Sequence, residues 1–286
     1  MEEKKKKFSF KKLIIRLIII VILIFLYAKY IGTSGMIVKE YRVESGILTS
    51  NFSGLKIVHF SDLLYKSNIG EEDVKKMVQK INILEPDIVV FTGDLINVNV
   101  GMNENDITFL KEELNKIEAN IGKYAVYGDY DYIYTNYNDI MNEAGFKVLN
   151  NSYETIFYKT NEPLYLVGLP CSLKENVDMK KSFEFYSDED RKYTIVLVHD
   201  GKTIKHIDDS LYEVDLILAG HSLNGSVVLP LVGGLFVDES SYKYSAPYYE
   251  KGITNIYISS GLGTNKYDYR FLNKPSFNLY RLKAQS

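Results

Sequence analysis

The stretch Leu55-Lys-Ile-Val-His-Phe-Ser-Asp62 ends a short apolar segment on an aspartate, and Ile88-Val-Val-Phe-Thr-Gly-Asp94 repeats the arrangement. Between them, residues 71–84 carry apolar side chains at helical spacing. The pair Glu85-Pro86 predicts the end of this helix, because the residue before a proline avoids the helical region. Short, continuously apolar strands are typical of a sheet that is covered by helices. The sequence therefore predicts a β-α-β unit at the start of a layered α/β fold.

The pattern continues towards the C-terminus without repeats or low-complexity linkers, so we interpret the body of the chain as one domain. A second helix is predicted around residues 107–117, where apolar residues again recur at helical spacing. The second half is richer in predicted strands. Strands are predicted at residues 124–127, 164–167, 194–198, 216–219, 255–259 and 277–282.

Composition and charge exclude several classes of protein. The chain has 286 residues, and its 46% hydrophobic content is too high for a disordered chain. The single cysteine, Cys171, excludes an intramolecular disulfide and a cysteine-cluster metal site. The first sixteen residues carry seven basic and two acidic side chains, which leaves a net charge of −8 on the rest. An acidic body lacks the basic face that nucleic acid requires, so we expect no nucleic-acid partner.

An apolar segment near the N-terminus predicts a membrane anchor. As a helix, residues 13–31 would span roughly 28 Å at about 1.5 Å per residue, close to a hydrocarbon core of about 30 Å. The lysines that precede it predict a cytoplasmic basic tail (1–12), a transmembrane signal-anchor helix (13–31) and an extracytoplasmic domain (32–286) at the cell membrane. A cleaved signal peptide is the alternative, but no small-residue cleavage site follows Ala28.

Five potential metal ligands follow predicted strands. They are Asp62, Asp94, Asp129, His199 and His221. Open α/β sheets place their sites at the carboxyl ends of strands, so we expect these side chains to share one pocket. Carboxylates together with imidazoles suit Zn²⁺, Mn²⁺ or Fe²⁺ better than Ca²⁺. Gly93, Gly128 and Gly220 stand beside three of the five and permit the sharp turns that such a pocket needs.

Five short motifs, in this order, resemble those of the calcineurin-like metallophosphoesterase family. They are Ser61-Asp-Leu-Leu64, Thr92-Gly-Asp-Leu95, Tyr127-Gly-Asp-Tyr-Asp131, Val198-His199 and Gly220-His-Ser-Leu-Asn-Gly225. Residues 229–236 and 259–264 resemble the membrane-anchored bacterial branch in particular. The resemblance implies a layered α-β-β-α sandwich preceded by one transmembrane helix. It also implies a two-metal centre in which a metal-bound hydroxide attacks phosphorus in line.

The sequence departs from the family pattern at the first metal. Two histidines that the family uses there are replaced by Leu64 and Leu223, and leucine has no lone pair to donate. The resemblance therefore implies an empty first site, with Asp62 left as a peripheral residue that accepts hydrogen bonds. The positions that it assigns to the second metal can all still coordinate: Asp94, Asp129, His199 and His221. We expect one divalent transition metal, either Zn, Mn or Fe.

Tyr130 stands where the family has a histidine that assists at the leaving group. A phenol, with a pKa of about 10, donates a hydrogen bond but supplies no imidazolium charge. With one metal also lost, we expect little ordinary phosphoesterase activity. The neighbouring Asp131 is expected to orient other residues or cap a turn. The two remaining histidines are expected to be buried in a strand (His59) and exposed at the surface (His206).

Three functional interpretations stay open. The first is a pseudoenzyme or severely weakened phosphoesterase that keeps one metal and binds a phosphorylated envelope ligand or a protein partner. The second is a mononuclear metal-dependent hydrolase that acts on phosphoesters outside the cell membrane. The third is a structural subunit of a membrane complex with a vestigial cleft. The loss of the first metal site has two explanations, drift or selection for a single metal. A single metal would have its +2 charge balanced by Asp94 and Asp129.

Overall fold

Two six-stranded sheets form the centre of the computed structural model, which describes residues 10–237, 239–241 and 243–285. The helices are α1 (Phe10–Leu26), continued by a π-helical turn (Tyr27–Ile31), α2 (Glu71–Ile83), α3 (Glu104–Asn115), α4 (Tyr137–Glu143), α5 (Met179–Ser182) and α6 (Gly201–Asp208). The strands are β1 (Ile37–Ser45), β2 (Lys56–Phe60), β3 (Ile88–Phe91), β4 (Gly122–Ala125), β5 (Phe146–Val148), β6 (Ser152–Phe157), β7 (Pro163–Gly168), β8 (Thr194–Leu197), β9 (Leu216–Ala219), β10 (Val228–Leu229), β11 (Gly233–Gly234), β12 (Tyr248–Lys251), β13 (Thr254–Ile258) and β14 (Ser276–Ala284).

The first sheet has the order β1-β14-β2-β3-β4-β5, and the second has the order β12-β13-β9-β8-β7-β6. Strands β2 to β5 are parallel to one another, as are β7, β8, β9 and β13. Parallel pairing aligns the carboxyl ends of these strands at one edge of each sheet. The chain segments that leave β2, β3, β4, β8 and β9 carry the expected site residues.

Three buried apolar clusters explain the layering. The middle cluster joins the facing sides of the two sheets, for example Ile57 and Val90 with Leu197 and Leu218. A second cluster packs helices α2, α3 and α4 on the outer face of the first sheet. A third packs α6 on the outer face of the second sheet. The order of layers is therefore helix, sheet, sheet, helix, as the sequence predicts.

The N-terminal helix stands largely free of this sandwich. Helix α1 and the turn that continues it form one 22-residue segment, Phe10–Ile31, which is long and apolar enough to cross a membrane and is almost wholly exposed. Most of the predicted basic tail (1–12) lies outside the described residues. The division of the chain at residues 12 and 31 stays a prediction.

The C-terminal end of that helix is fixed to the sandwich by a loop. The backbone N–H of Arg270 donates to the carbonyl oxygen of Ala28 over 2.9 Å. A Cβ added at Gly32 would overlap the carbonyl oxygen of Arg270, so only glycine permits this close approach. The Phe25 ring packs edge-on against Tyr269. The helix therefore leaves the folded domain beside residues 269–272.

The predicted strands are all present, most of them with shifted ends, and six strands appear among the described residues that the sequence analysis did not predict. The strand predicted at residues 124–127 ends earlier, at Ala125, because Val126 to Gly128 form the turn that carries Asp129. The additional strands are β1, β5, β6, β10, β11 and β12. Four of them, β1, β5, β6 and β12, lie at the edges of the two large sheets and have partly exposed side chains, so they lack the apolar run of the central strands.

Candidate metal centre

The loops after β2, β3 and β9 have an unusual backbone. Asp62, Asp94 and His221 have φ values of 50°, 61° and 65°, in the left-handed region. Residues other than glycine adopt this region rarely, so the surrounding structure must hold it in place. Two backbone bonds do so here, from Asp62 N–H to Gly93 C=O and from Leu64 N–H to Asp94 C=O. The strained turns direct the side chains of Asp62, Asp94 and His221 towards one region between the sheets.

Gly128 makes the close contact between the loops after β3 and β4 possible. A Cβ at this position would overlap the carboxylate of Asp94, and a Cβ at Gly93 would overlap the Gly128 backbone. The side chain of Asp131 stabilises the same contact between the two loops. Its buried carboxylate accepts hydrogen bonds from the N–H groups of Asp94 (2.8 Å), Leu95 (2.9 Å) and Gly128 (2.8 Å). Asp131 therefore orients its neighbours, as expected.

One group of side chains, among the described residues, is arranged to hold a metal ion. Its members are Asp94, Asp129, His199 and His221, each with one ligand atom, and these four atoms lie within 4.8 Å of one another. His199 Nε2 lies 3.3 Å from Asp94 Oδ2 and 3.3 Å from Asp129 Oδ1. His221 Nδ1 lies 3.2 Å from the same oxygen of Asp129. The structure thus brings together the four residues that the sequence assigns to one centre.

Contacts outside the group orient its ligand atoms. His199 Nδ1 lies 2.6 Å from the carbonyl oxygen of Thr92 and must donate to it, which leaves the lone pair of Nε2 facing the group. His221 contacts the Ser240 hydroxyl through Nε2, which leaves Nδ1 on the inner side. Asp94 Oδ1 accepts from the Tyr130 N–H over 3.0 Å, while Oδ2 faces His199. Such contacts are typical of residues that bind metals.

The electrostatics of the group also fit a cation. Burial alone would lower the pKa of His199, but the carboxylates of Asp94 and Asp129 outweigh it and hold the pKa well above its ordinary value. Burial would raise the pKa of Asp129, yet the two imidazoles hold it below its usual range. Asp129 Oδ1 is buried and accepts no well-aligned hydrogen bond from the described residues. A divalent ion could replace the proton that the raised pKa places on His199 and supply the positive charge that the carboxylates face, so these residues fit one.

Asp62 lies beside the group but is engaged elsewhere. Both of its carboxylate oxygens lie within hydrogen-bond distance of the His221 N–H, at 3.2 and 3.1 Å. Burial raises the pKa of Asp62 to about 6. Leu64 and Leu223, at the positions where the family pattern has histidines, are only 1% and 5% exposed. Apolar side chains therefore stand where further ligands would be needed.

Three other expected residues can be placed. The Tyr130 hydroxyl donates to Asn265 Oδ1 over 3.0 Å, a contact to a distant loop that nothing in the sequence indicates. His59 is buried, with Nε2 2.8 Å from the Thr92 hydroxyl and Nδ1 3.4 Å from the Tyr280 hydroxyl. His206 is exposed on α6. Neither histidine belongs to the group.

A sandwich of two sheets with aspartates and histidines converging at the strand exits defines a class of metal-dependent phosphoesterases and their relatives. Residues 55–225 match the family model described as calcineurin-like phosphoesterase. The metallophosphoesterase YkuE of Bacillus subtilis is 31% identical over 90% of this chain and 89% of its own. The chain therefore belongs to the calcineurin-like phosphoesterase family, and the predicted family and fold are confirmed.

Other relatives extend the comparison. The UDP-2,3-diacylglucosamine pyrophosphatase LpxG of Chlamydia trachomatis is 27% identical over 81% of this chain and 84% of its own. A transmembrane protein with a metallophosphoesterase domain from Danio rerio is 24% identical over 92% of this chain and 60% of its own. The crystal structure of a dimetal phosphatase from Danio rerio superposes with a TM-score of 0.40 at 9% identity, covering 73% of this chain and 88% of that one. Calcineurin-like phosphoesterases bind divalent metals, and the four-residue group offers a place for one.

Proposed function

We propose that the protein is a membrane-anchored phosphoesterase-family member that binds one divalent transition metal and holds a phosphorylated ligand. Hydrolysis is severely weakened or lost. The ligand is a phosphorylated envelope component or a protein partner outside the cell membrane, and the N-terminal tail is cytoplasmic. One observation carries this proposal. Four ligand atoms converge within 4.8 Å, whereas Leu64 and Leu223 stand at the family's remaining ligand positions.

The charge balance argues against efficient turnover. One +2 ion with the carboxylates of Asp94 and Asp129 gives a centre of about zero net charge, and Asp62 adds negative charge when ionised. Two ions would stabilise the charge of a transferring phosphoryl group far better. Losing one strong electrostatic contact typically lowers a rate on the order of 10²–10³-fold. This chain has lost an ion and, at Tyr130, an imidazole.

A mononuclear hydrolase is the second candidate, and the outer contacts of the group favour it. Thr92, Ser240 and Tyr130 orient the ligand atoms as they would in a working centre. When bound, the ion would supply positive charge to a phosphate oxygen. A four-coordinate Zn²⁺ would be saturated by the four side chains, whereas a six-coordinate Mn²⁺ or Fe²⁺ would keep positions for the ligand.

Turnover by the purified full chain distinguishes the two candidates. Protein loaded separately with Zn²⁺, Mn²⁺ or Fe²⁺ would be assayed with aryl phosphate monoesters and diesters, and for binding of inorganic phosphate. We expect metal-dependent phosphate binding with little turnover. The matched controls are His199→Ala, which removes a ligand, and His206→Ala, which removes an exposed histidine. Steady turnover that His199→Ala abolishes and His206→Ala preserves would establish the hydrolase instead.

A further inference from the structure

An exposed apolar surface lies next to the candidate metal centre. We call it the apolar collar and define it as Leu231, Val232, Leu235, Phe236 and Leu272. Their exposed fractions are 108%, 69%, 46%, 55% and 58%, and the first four belong to the short hairpin β10–β11 and its flank. Clustered exposure of large apolar side chains is unusual on a soluble surface and indicates an interaction site.

Backbone bonds join the collar to the candidate membrane span. Val228 N–H donates to the carbonyl oxygen of Phe271 over 2.9 Å, and Phe271 N–H donates to Ser226 C=O over 3.2 Å. The adjoining Arg270 N–H bonds to Ala28 in the helix. Hairpin, loop and helix end therefore form one continuous unit.

The depth of this contact places the collar at a bilayer. Leu272 and Phe271 line an apolar cleft together with Ile20 and Ile24 of the helix. Ile24 lies seven residues before Ile31, which is about 10 Å along a helix. If the helix spans the hydrocarbon core, Leu272 lies alongside its outer half. The occupant of the collar is therefore lipid.

The loop at this depth has the chemistry that a membrane surface requires. The N–H groups of Arg270 and Phe271 are both hydrogen-bonded, so burial in an apolar medium leaves neither donor unpaired. Tyr30 and Tyr267 are exposed beside Lys29 and Lys266, respectively, with each ammonium within 6 Å of the adjacent ring. Tyrosines and lysines are the residues that anchor proteins at the headgroup level.

A cavity connects the collar with the metal centre. It has a volume of about 320 Å³ and is lined by His221 and Leu223 on the one hand and by Phe236, Tyr267 and Tyr269 on the other. A molecule that fills this cavity would touch a candidate metal ligand and the collar at once. Such a molecule needs a polar head and an apolar body.

We propose that the apolar collar inserts into the bilayer surface and that the ligand is a membrane lipid whose phosphorylated headgroup reaches the metal centre. The identity of the headgroup site rests on the function proposed above. Insertion of the collar does not rest on that function, because it depends only on the helix, the loop and the hairpin. The two parts can therefore fail separately.

Insertion is tested on the full chain in lipid nanodiscs. An environment-sensitive fluorophore would be attached to Leu231→Cys, with Leu211→Cys as the control, in a Cys171→Ala background. Leu211 is 94% exposed on the loop after α6, so it matches Leu231 in exposure. For the label at position 231 only, we expect a blue shift of the fluorescence and quenching by lipids that carry a doxyl group near the headgroup. A label at 231 that behaves like the one at 211, on protein with intact metal content, would overturn the insertion.

Ligand class is tested with dihexanoyl phosphatidic acid and glycerol 3-phosphate on the metal-loaded full chain. We expect the lipid to bind at least about tenfold more tightly, the gain from burying about two methylene groups. Phe236→Ser should reduce this preference. Phe157→Ser, at an equally exposed phenylalanine on β6, should keep it. Equal affinities would overturn the lipid assignment, and binding of neither compound would overturn the proposed function with it.

Discussion

The imidazole of His199 lies 2.6 Å from the carbonyl oxygen of Thr92 through Nδ1. Thr92 directly follows β3 of the first sheet, and His199 lies just beyond the end of β8 of the second. This bond therefore joins the two sheets directly behind the candidate metal centre. Because the ligands come from both sheets, the centre depends on how the whole sandwich packs. Changes that alter the approach of the loops should affect metal binding more than changes at the surface.

Substitution of Gly128 should disrupt the centre. In Gly128→Ala the added Cβ would overlap the Asp94 carboxylate and displace it. Overpacking of this kind costs about 1–3 kcal/mol, so metal affinity should fall by about fivefold or more if the cost falls on the metal-bound form. Gly101→Ala is the control, since no atom lies within 4 Å of a Cβ there. Calorimetric titration with the metal would measure the affinities of both variants, and equal affinities would refute the proposed loop contact.

Stability should fall in acid because of His59. Burial lowers the pKa of this imidazole to about 3, below an ordinary value of about 6.5. The folded chain keeps the ring neutral, while the unfolded chain protonates it below about pH 6.5. The contribution of the neutral ring to the free energy of unfolding is therefore complete above that pH and is lost as the pH falls towards 3.

The size of the effect follows from the linkage. Between pH 7 and pH 5, the free energy of unfolding should fall by about 2 kcal/mol more in the native chain than in His59→Gln. Urea unfolding in detergent at the two pH values would measure the difference. His206→Gln, at an exposed histidine, should behave like the native chain. The same pH dependence in native and His59→Gln protein would contradict this assignment.

Restoring the family residues should restore a second ion. Leu64→His and Leu223→His add imidazoles, and Tyr130→His with Asp129→Asn completes the family motif. We expect the quadruple variant to bind two metals and to raise turnover of aryl phosphates by at least about tenfold. Leu64→Met with Leu223→Met controls for repacking, since methionine is similar in size to leucine. A well-folded quadruple variant without any gain would count against the residue assignments.

Much of the fold could be predicted from the sequence because its central strands are short, apolar and followed by turns. The run Ile88–Phe91 and the aspartate after it indicate a buried strand and its exit without reference to the rest of the chain. The edge strand β1 gives no comparable signal. It pairs in parallel with β14, so that Ile37 lies opposite Ser276, a contact between distant parts of the chain.

The candidate site could be predicted only in part. Its ligands stand at strand exits, where parallel sheets collect them, so their convergence follows from the order of elements. The contacts that orient these ligands do not follow from the order of elements. Thr92 acts through its carbonyl oxygen, which every residue has. Ser240 lies in a short 3₁₀ helix and Asn265 on a loop, and the positions of both depend on tertiary packing. The link between the collar and the N-terminal helix is likewise a long-range contact.

The metal content of the purified full chain tests the central claim most directly. Mass spectrometry after reconstitution with Zn²⁺, Mn²⁺ or Fe²⁺ would be compared with His199→Ala/His221→Ala and with the control His206→Ala. The account predicts about one ion per chain, lost in the double variant and retained in the control. No bound ion, or two ions per native chain, would contradict it.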